Sequence, residues 1–274
     1  MDSDTQAITE SERVAVYTVQ QPAFKRAVNT AYNSIRHKYL AKYINLLRRG
    51  EKFILLSYPI SRGGNWLYLW ARAATLRHHG TDKASLLYGP GMEAWTEEFP
   101  KLASITASSS EYTFFTRRSG YFPTDIENDI SEEDLHFFIR EYLLSSESFS
   151  KRLARMQNVV DENSLVINIC RGDYYSVPQI NEVFGIDTVT YVEEALKKLQ
   201  ETVTPSKIIF VSDDLQWCEE NLSHLNSVAP CIFEKQGSGM FDDLALVASA
   251  PYLILTNTTF GYWGAYIGEL LTQK

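Results

Sequence analysis

The run Leu165-Val166-Ile167-Asn168-Ile169-Cys170 leads straight into Arg171-Gly172-Asp173-Tyr174-Tyr175, and no other stretch restricts the fold as tightly. A continuous, β-prone apolar run halted by glycine predicts a strand buried on both faces of a parallel sheet. In such sheets ligands bind outside the carboxyl ends of the strands, which is where Arg171 and Asp173 are delivered. The planar guanidinium fork matches phosphate oxygens, so the first expectation is an anionic ligand at this strand end.

The flanking segments repeat the pattern. Phe53-Ile54-Leu55-Leu56-Ser57-Tyr58 predicts a strand, followed by the turn Ser61-Arg62-Gly63-Gly64-Asn65 and a helix from Trp66 to His79. Strand, glycine turn and helix form a βα unit whose helix N-terminus favours anions, although many such turns are only tight connections. Ala84–Tyr88 predicts a strand, Ser131-Glu132-Glu133-Asp134 a capped helix through Leu144, and Glu147–Met156 a further helix. Beyond the central strand, Thr190 with Glu193 predicts a helix cap. Ile208–Val211 predicts a strand, Leu215–Leu222 a helix, Leu244–Ala250 a helix and Tyr252–Thr256 a strand, with a last helix opening at Asn257-Thr258-Thr259. This alternation predicts doubly wound parallel sheets in two halves, with the polar Asp161-Glu162-Asn163-Ser164 between them. The middle of the chain, from about Met92 to Asp129, is rich in aromatics and Ser/Thr with little periodicity and is uninformative.

Polar residues fall at four strand ends: Arg171/Asp173, Ser212/Asp213/Asp214, Asp242/Asp243 and Asn257/Thr258/Thr259. Singly, each aspartate or threonine reads as well as a helix cap; together they converge on one rim of one sheet.

Composition narrows the function classes. The 274 residues, 45% hydrophobic and 22% charged, fit one or two globular domains. A net charge of −8 excludes general nucleic-acid binding. Residues 24–50 are the exception, with seven basic residues (Lys25, Arg26, Arg36, Lys38, Lys42, Arg48, Arg49) and no acidic one. Phe24, Val28, Tyr32, Ile35, Tyr39, Tyr43 and Leu47 predict an amphipathic helix there, either docked on the domain or lying on an anionic membrane. Cys170, Cys218 and Cys231 lack metal-ligand spacing, and an odd count points to a reducing, cytoplasmic setting. The paired aspartates lack a histidine cluster, so no metal is expected. No dinucleotide fingerprint, P-loop or nucleophile elbow occurs.

Asn168-Ile169-Cys170-Arg171-Gly172-Asp173-Tyr174 resembles the His-x-Arg-Arg-Gly-Asp-Tyr signature of the α-1,2-fucosyltransferases, glycosyltransferase family 11. Ser212-Asp213-Asp214-Leu215-Gln216-Trp217-Cys218 is similar to the family's Ser-Asp-Asp-x-x-Trp-Cys. Asp243-Leu244-Ala245-Leu246-Val247-Ala248 is similar to its Asp-Leu-x-Leu-Met-Ser. Asn257-Thr258-Thr259-Phe260-Gly261-Tyr262-Trp263-Gly264-Ala265 is similar to its Asn-Ser-Thr-Phe-Ser-Trp-Trp-Gly-Ala, and Arg62–Tyr68 loosely matches its Gly-Leu-Gly-Asn-Gln-Met-Phe.

The resemblance, carried by residues 165–266, implies a GT-B-like α/β fold with two Rossmann-like doubly wound parallel-sheet domains facing a cleft. A leader and basic helix would occupy residues 1–50, an acceptor-side domain 51–160 and a nucleotide-sugar domain 161–274, with the aromatic stretch from Trp95 to Phe122 shaping the acceptor side. It implies inverting transfer of fucose from GDP-fucose to a glycan hydroxyl, without cofactor or metal. Arg171 and Asp173 would be catalytic. Arg171, Asp214, Asp243, Asn257, Thr258, Thr259 and Phe260 would hold the donor, and Arg62, Gly64 and Asn65 would face the cleft. Expected partners are a nucleotide sugar and a glycan, with peripheral membrane contact through residues 24–49; a trimmed eukaryotic chain would instead belong in the Golgi lumen. Two positions depart from the family: its first paired arginine is Cys170 here, and its histidine is Asn168. These keep open a weakened or non-catalytic nucleotide-sugar or glycan-binding relative, and a transferase using another nucleotide sugar.

Overall fold

A computed structural model describes residues 52–58, 61–80, 83–120, 130–172, 175, 181–182 and 185–272. The expected leader and basic helix, and Asp173, lie outside the described residues. Residues 50–274 form one compact unit.

The first sheet holds β1 (Phe53–Leu56), β2 (Ala84–Leu87), β3 (Thr106–Ala107) and β4 (Arg117–Gly120), all parallel, in the order β3-β2-β1-β4. The second holds β5 (Ser164–Ile169), β6 (Lys207–Ser212), β7 (Cys231–Ile232) and β8 (Tyr252–Leu255), also parallel, in the order β7-β6-β5-β8. The two sheets therefore share one winding pattern, the two-sheet GT-B-like α/β architecture expected from the sequence.

The helices are α1 (Gly63–His78), α2 (Glu93–Glu98), α3 (Glu132–Phe138), α4 (Glu147–Gln157), α5 (Thr188–Leu199), α6 (Leu215–Leu222), α7 (Met240–Ala248) and α8 (Thr259–Thr272). Several begin or end away from the expected places. Gly63 and Gly64 are the first turn of α1 rather than a loop before it. Asp187, not Thr190, caps α5: its carboxylate accepts the Thr190 backbone N–H at 3.2 Å and the Thr190 hydroxyl at 2.7 Å. Asp242 and Asp243 sit inside the first turn of α7, where carboxylates face the positive helix end. After Phe138 the helix widens into a π turn, Ile139–Leu143, instead of running regularly to Leu144; Ile139 and Leu143 are both buried there.

The second sheet is covered on both faces, and side-chain alternation along its strands divides two cores. Val166, Ile209 and Val211 face a core shared with Leu244 and Val247 of α7 and Trp263 and Ile267 of α8. Leu165, Ile167, Ile169, Ile208 and Phe210 face a second, with Val192 and Leu196 of α5 and Cys218 and Leu222 of α6. The first core continues into Leu55, Leu86 and the buried face of α1, so one apolar cluster runs through both sheets. Among the described residues no helix is long and apolar enough to cross a membrane.

Candidate active site at the paired switch points

In each sheet the winding reverses beside the first strand. β1 is flanked by β2 and β4, and β5 by β6 and β8. A reversal leaves a crevice at the carboxyl ends of the two diverging strands, the preferred ligand position in open α/β sheets. The second crevice lies between the strand that delivers Arg171 and the strand that delivers Thr258.

The two crevices meet. Gly64, in the first turn after β1, packs so closely on the first turn of α8 that a Cβ there would clash with Thr259 Oγ1 and fall 2.7 Å from the Phe260 backbone nitrogen. Trp263 Nε1 donates to the Gly64 carbonyl at 2.9 Å in a buried contact, and the Trp263 and Tyr68 rings lie 4.9 Å apart. Gly63 is equally constrained, since a Cβ would enter the Trp95 ring. Two helix N-termini are thus brought together, each with backbone N–H groups lacking intrahelical acceptors and a positive dipole end. Arg62 is exposed at the N-cap position of α1, and Asn65 is half-buried beside Gly64.

One strand from α8, the loop after β5 is fixed through its backbone. The Asp213 carboxylate accepts the N–H groups of Arg171 and Gly172, both at 2.8 Å. Cys170 Sγ lies 3.7 Å from the same carboxylate, and the Cys170 N–H donates to Thr256 Oγ1 at 3.4 Å. The Arg171 guanidinium packs on two rings, 3.7 Å from the Trp217 centroid and 4.1 Å from that of Tyr175. Its Nε is 3.8 Å from Asp214 Oδ2. Asp214 also caps α6, accepting the Trp217 N–H at 3.0 Å. Two rings packed this close restrict the plane of the cation and direct its hydrogen-bond donors to its edges. Sequence reasoning missed Trp217 and Tyr175; the available signal was a tryptophan three residues after a capping aspartate.

Asn168 is buried, and its Nδ2 donates to the Val211 carbonyl at 3.1 Å, tying β5 to β6. Its Oδ1, beside Gly261, has no hydrogen-bond partner among the described residues. Thr258 is buried and Asn257, Thr259 and Phe260 are half-buried around the start of α8.

The paired aspartates of α7 divide their roles. Asp242, 1% exposed, accepts from Arg152 Nη1 at 2.8 Å, from Arg155, and from the Ser238 backbone at 2.7 Å. Arg152 continues the network to Glu98 at 2.9 Å. Burial alone would push the Asp242 carboxyl up, but the Arg152 and Ser238 bonds outweigh it and hold it below the usual carboxylate range. Asp243 has no such compensation: burial pushes its carboxyl up, with Lys235 only partly opposing.

Within the Trp95–Phe122 stretch, whose last two residues lie outside the described residues, the rings divide. Trp95 and Phe99 are buried in the core because they pack against Phe241 of α7. Phe114 and Phe115 precede β4 and so lie at the opposite, amino-terminal edge. The exposed aromatics at the carboxyl ends of β1 and β2 are Tyr58 and Tyr88. The Tyr88 hydroxyl is fixed by Glu93, whose other oxygen accepts the Gly91 N–H at 2.7 Å. No group of three metal-ligating side chains occurs among the described residues.

The family model for glycosyl transferase family 11 matches residues 92–271. An alpha-1,2-colitosyltransferase of Escherichia coli is 29% identical over 105 residues, covering 38% of this chain and 36% of that protein. Galactoside alpha-(1,2)-fucosyltransferase 1 of Saimiri sciureus is 26% identical over 138 residues, covering 50% of this chain and 37% of that protein. The alignments thus span little more than a third of the length of these curated relatives. Among solved structures, POFUT1 in complex with GDP superposes with a TM-score of 0.46 at 9% identity, covering 82% of this chain and 97% of that one.

Proposed function

Because the chain belongs to glycosyl transferase family 11, we propose that it is an inverting glycosyltransferase carrying fucose from GDP-fucose to a hydroxyl of a glycan acceptor. The observation that carries this reading is the meeting of two helix N-termini at Gly64 and Thr259–Phe260, with the stacked Arg171 cation one strand away. A sugar donor loses a nucleoside diphosphate, and the negative charge that develops on it is what such a site stabilises.

In this scheme the free edge of Arg171 and the N–H groups at the start of α8 neutralise the departing diphosphate. Asp214 orients Arg171 from the side, and Asp243 binds the nucleotide base as a hydrogen-bond acceptor. Asp173 takes the proton of the attacking hydroxyl. The acceptor approaches from the first sheet, past Asn65 and the exposed rings of Tyr58 and Tyr88, since aromatic faces suit the apolar faces of sugar rings. Relatives named for fucosyl and for colitosyl transfer make the donor sugar the finer question.

A transfer and hydrolysis assay across GDP-, UDP- and ADP-sugars tests the reading. GDP-fucose should be consumed in preference to the others; no turnover of any GDP-sugar would sink it. Cys170, where the family signature has its first paired arginine, supports a second reading, a nucleotide-sugar binder of weakened activity. Under that reading Cys170→Arg raises turnover at least about tenfold, the scale of one restored charged contact in a low-dielectric site.

A further inference from the structure

From the edge of the first sheet that faces away from the crevice, we infer a docking surface for an anionic lipid membrane, centred on Phe114 and Phe115. These two rings are 54% and 61% exposed, and they pack edge to face with centroids 5.4 Å apart. Adjacent aromatic side chains exposed to that degree are unusual on a free surface and mark an interaction site.

Their surroundings select the partner. The rings precede β4 by two residues, and β4 pairs with β1 in the register Phe53↔Arg117, so the amino ends of both strands lie side by side. Arg117 is exposed, with its guanidinium 5.5 Å from the Phe53 ring centroid. Arg118 is held by the Tyr112 hydroxyl, its guanidinium 4.7 Å from that ring's centroid. Lys52, at the start of β1, binds Glu111 at 2.7 Å, which ties the entry of the chain to the turn carrying the phenylalanines. The protein as a whole carries a net charge of −8. An apolar ring pair flanked by cations, on an otherwise acidic molecule, complements a bilayer interface, where rings enter the acyl boundary and basic side chains meet anionic headgroups. Because all strands of the sheet are parallel, this docking edge leaves the carboxyl edge, with Gly64 and Tyr88, turned away from the lipid.

The test is co-sedimentation of the full chain with phosphatidylcholine vesicles, with and without phosphatidylserine, for the wild type and for Phe114→Ser/Phe115→Ser. Both rings are largely exposed, so the double variant should keep the wild-type melting temperature. The expected result is salt-sensitive binding to the phosphatidylserine vesicles alone, weakened about tenfold or more in the double variant, the scale of two lost interfacial rings. Three results overturn the inference: no vesicle binding by the wild type, equal binding by the double variant, or a wild-type dimer that the double variant abolishes without any vesicle binding. GDP affinity should be the same in both proteins, so failure here leaves the crevice reading intact.

Discussion

Trp263 donates its indole N–H to the carbonyl of Gly64, a residue 199 positions earlier, at 2.9 Å. That bond fastens the helix after β8 to the helix after β1 and so brings the two switch-point crevices together. Trp263→Phe should destabilise the protein by about 2–4 kcal/mol, combining a buried carbonyl left unpaired with a partly emptied site. Gly64→Ala should also destabilise, because the new methyl meets the Phe260 backbone nitrogen, which cannot turn aside as a side chain can. Urea unfolding checks both. An alanine variant as stable as wild type would contradict the close approach.

Trp217 covers one face of the Arg171 guanidinium. Trp217→Leu removes the stack while leaving Asp214 in place as the cap of α6. GDP affinity should fall about five- to tenfold, the scale of one cation–π contact, with little change in melting temperature. Arg171→Lys should not restore wild-type affinity, because an ammonium neither stacks as a plane nor presents a fork.

Asp243 carries a carboxyl pushed up by burial. Above that raised value its charge works against folding, and as pH falls the penalty is relieved, so Asp243→Asn should be as stable as wild type or more so at neutral pH. The same variant should bind GDP more weakly. Equal GDP affinity in calorimetry would show that the carboxylate has no role in the crevice.

Asp242 and Asp134 have the opposite sign. Although burial opposes the charged form of both, Arg152 and Ser238 hold Asp242 down, and Ser131 and His79 hold Asp134 down. The stability they contribute is present above the unfolded carboxylate value, near pH 4, and is lost as pH falls through their lower folded values. Asp242→Asn should be destabilised by about 2–4 kcal/mol at pH 7, less than for a fully buried pair because Arg155 is half exposed. Its stability should also fall less steeply than wild type on acidification, as urea midpoints across that range would record.

Local pattern made much of this fold legible. Phe53–Leu56, Ser164–Ile169, Lys207–Ser212 and Tyr252–Leu255 are strands of a parallel sheet, and their apolar runs announce it. β3 and β4 were not legible: one is two residues long, and the other opens with Arg117 and Arg118, whose charges are accommodated by ring faces supplied from elsewhere in the chain. The site residues divide the same way. Arg171 and the start of α8 follow from strand ends, but the structural use of Asp242 depends on Arg152, 90 residues away. The pair of ring contacts to Arg171 likewise depends on a loop and a helix converging, which no spacing encodes. The Trp95 and Phe99 rings make a related point: aromatic composition does not distinguish a ligand-facing wall from a core, and for these two packing on Phe241 of α7 decides it.

The central claim is that the paired switch points hold a nucleoside diphosphate through Arg171. Isothermal titration of GDP into the wild type and Arg171→Ala addresses it most directly. The account predicts one site per chain in the wild type and affinity at least about tenfold weaker in the variant, as for a lost charge-assisted fork. No heat of binding in the wild type, or equal affinity in the two proteins, would contradict it.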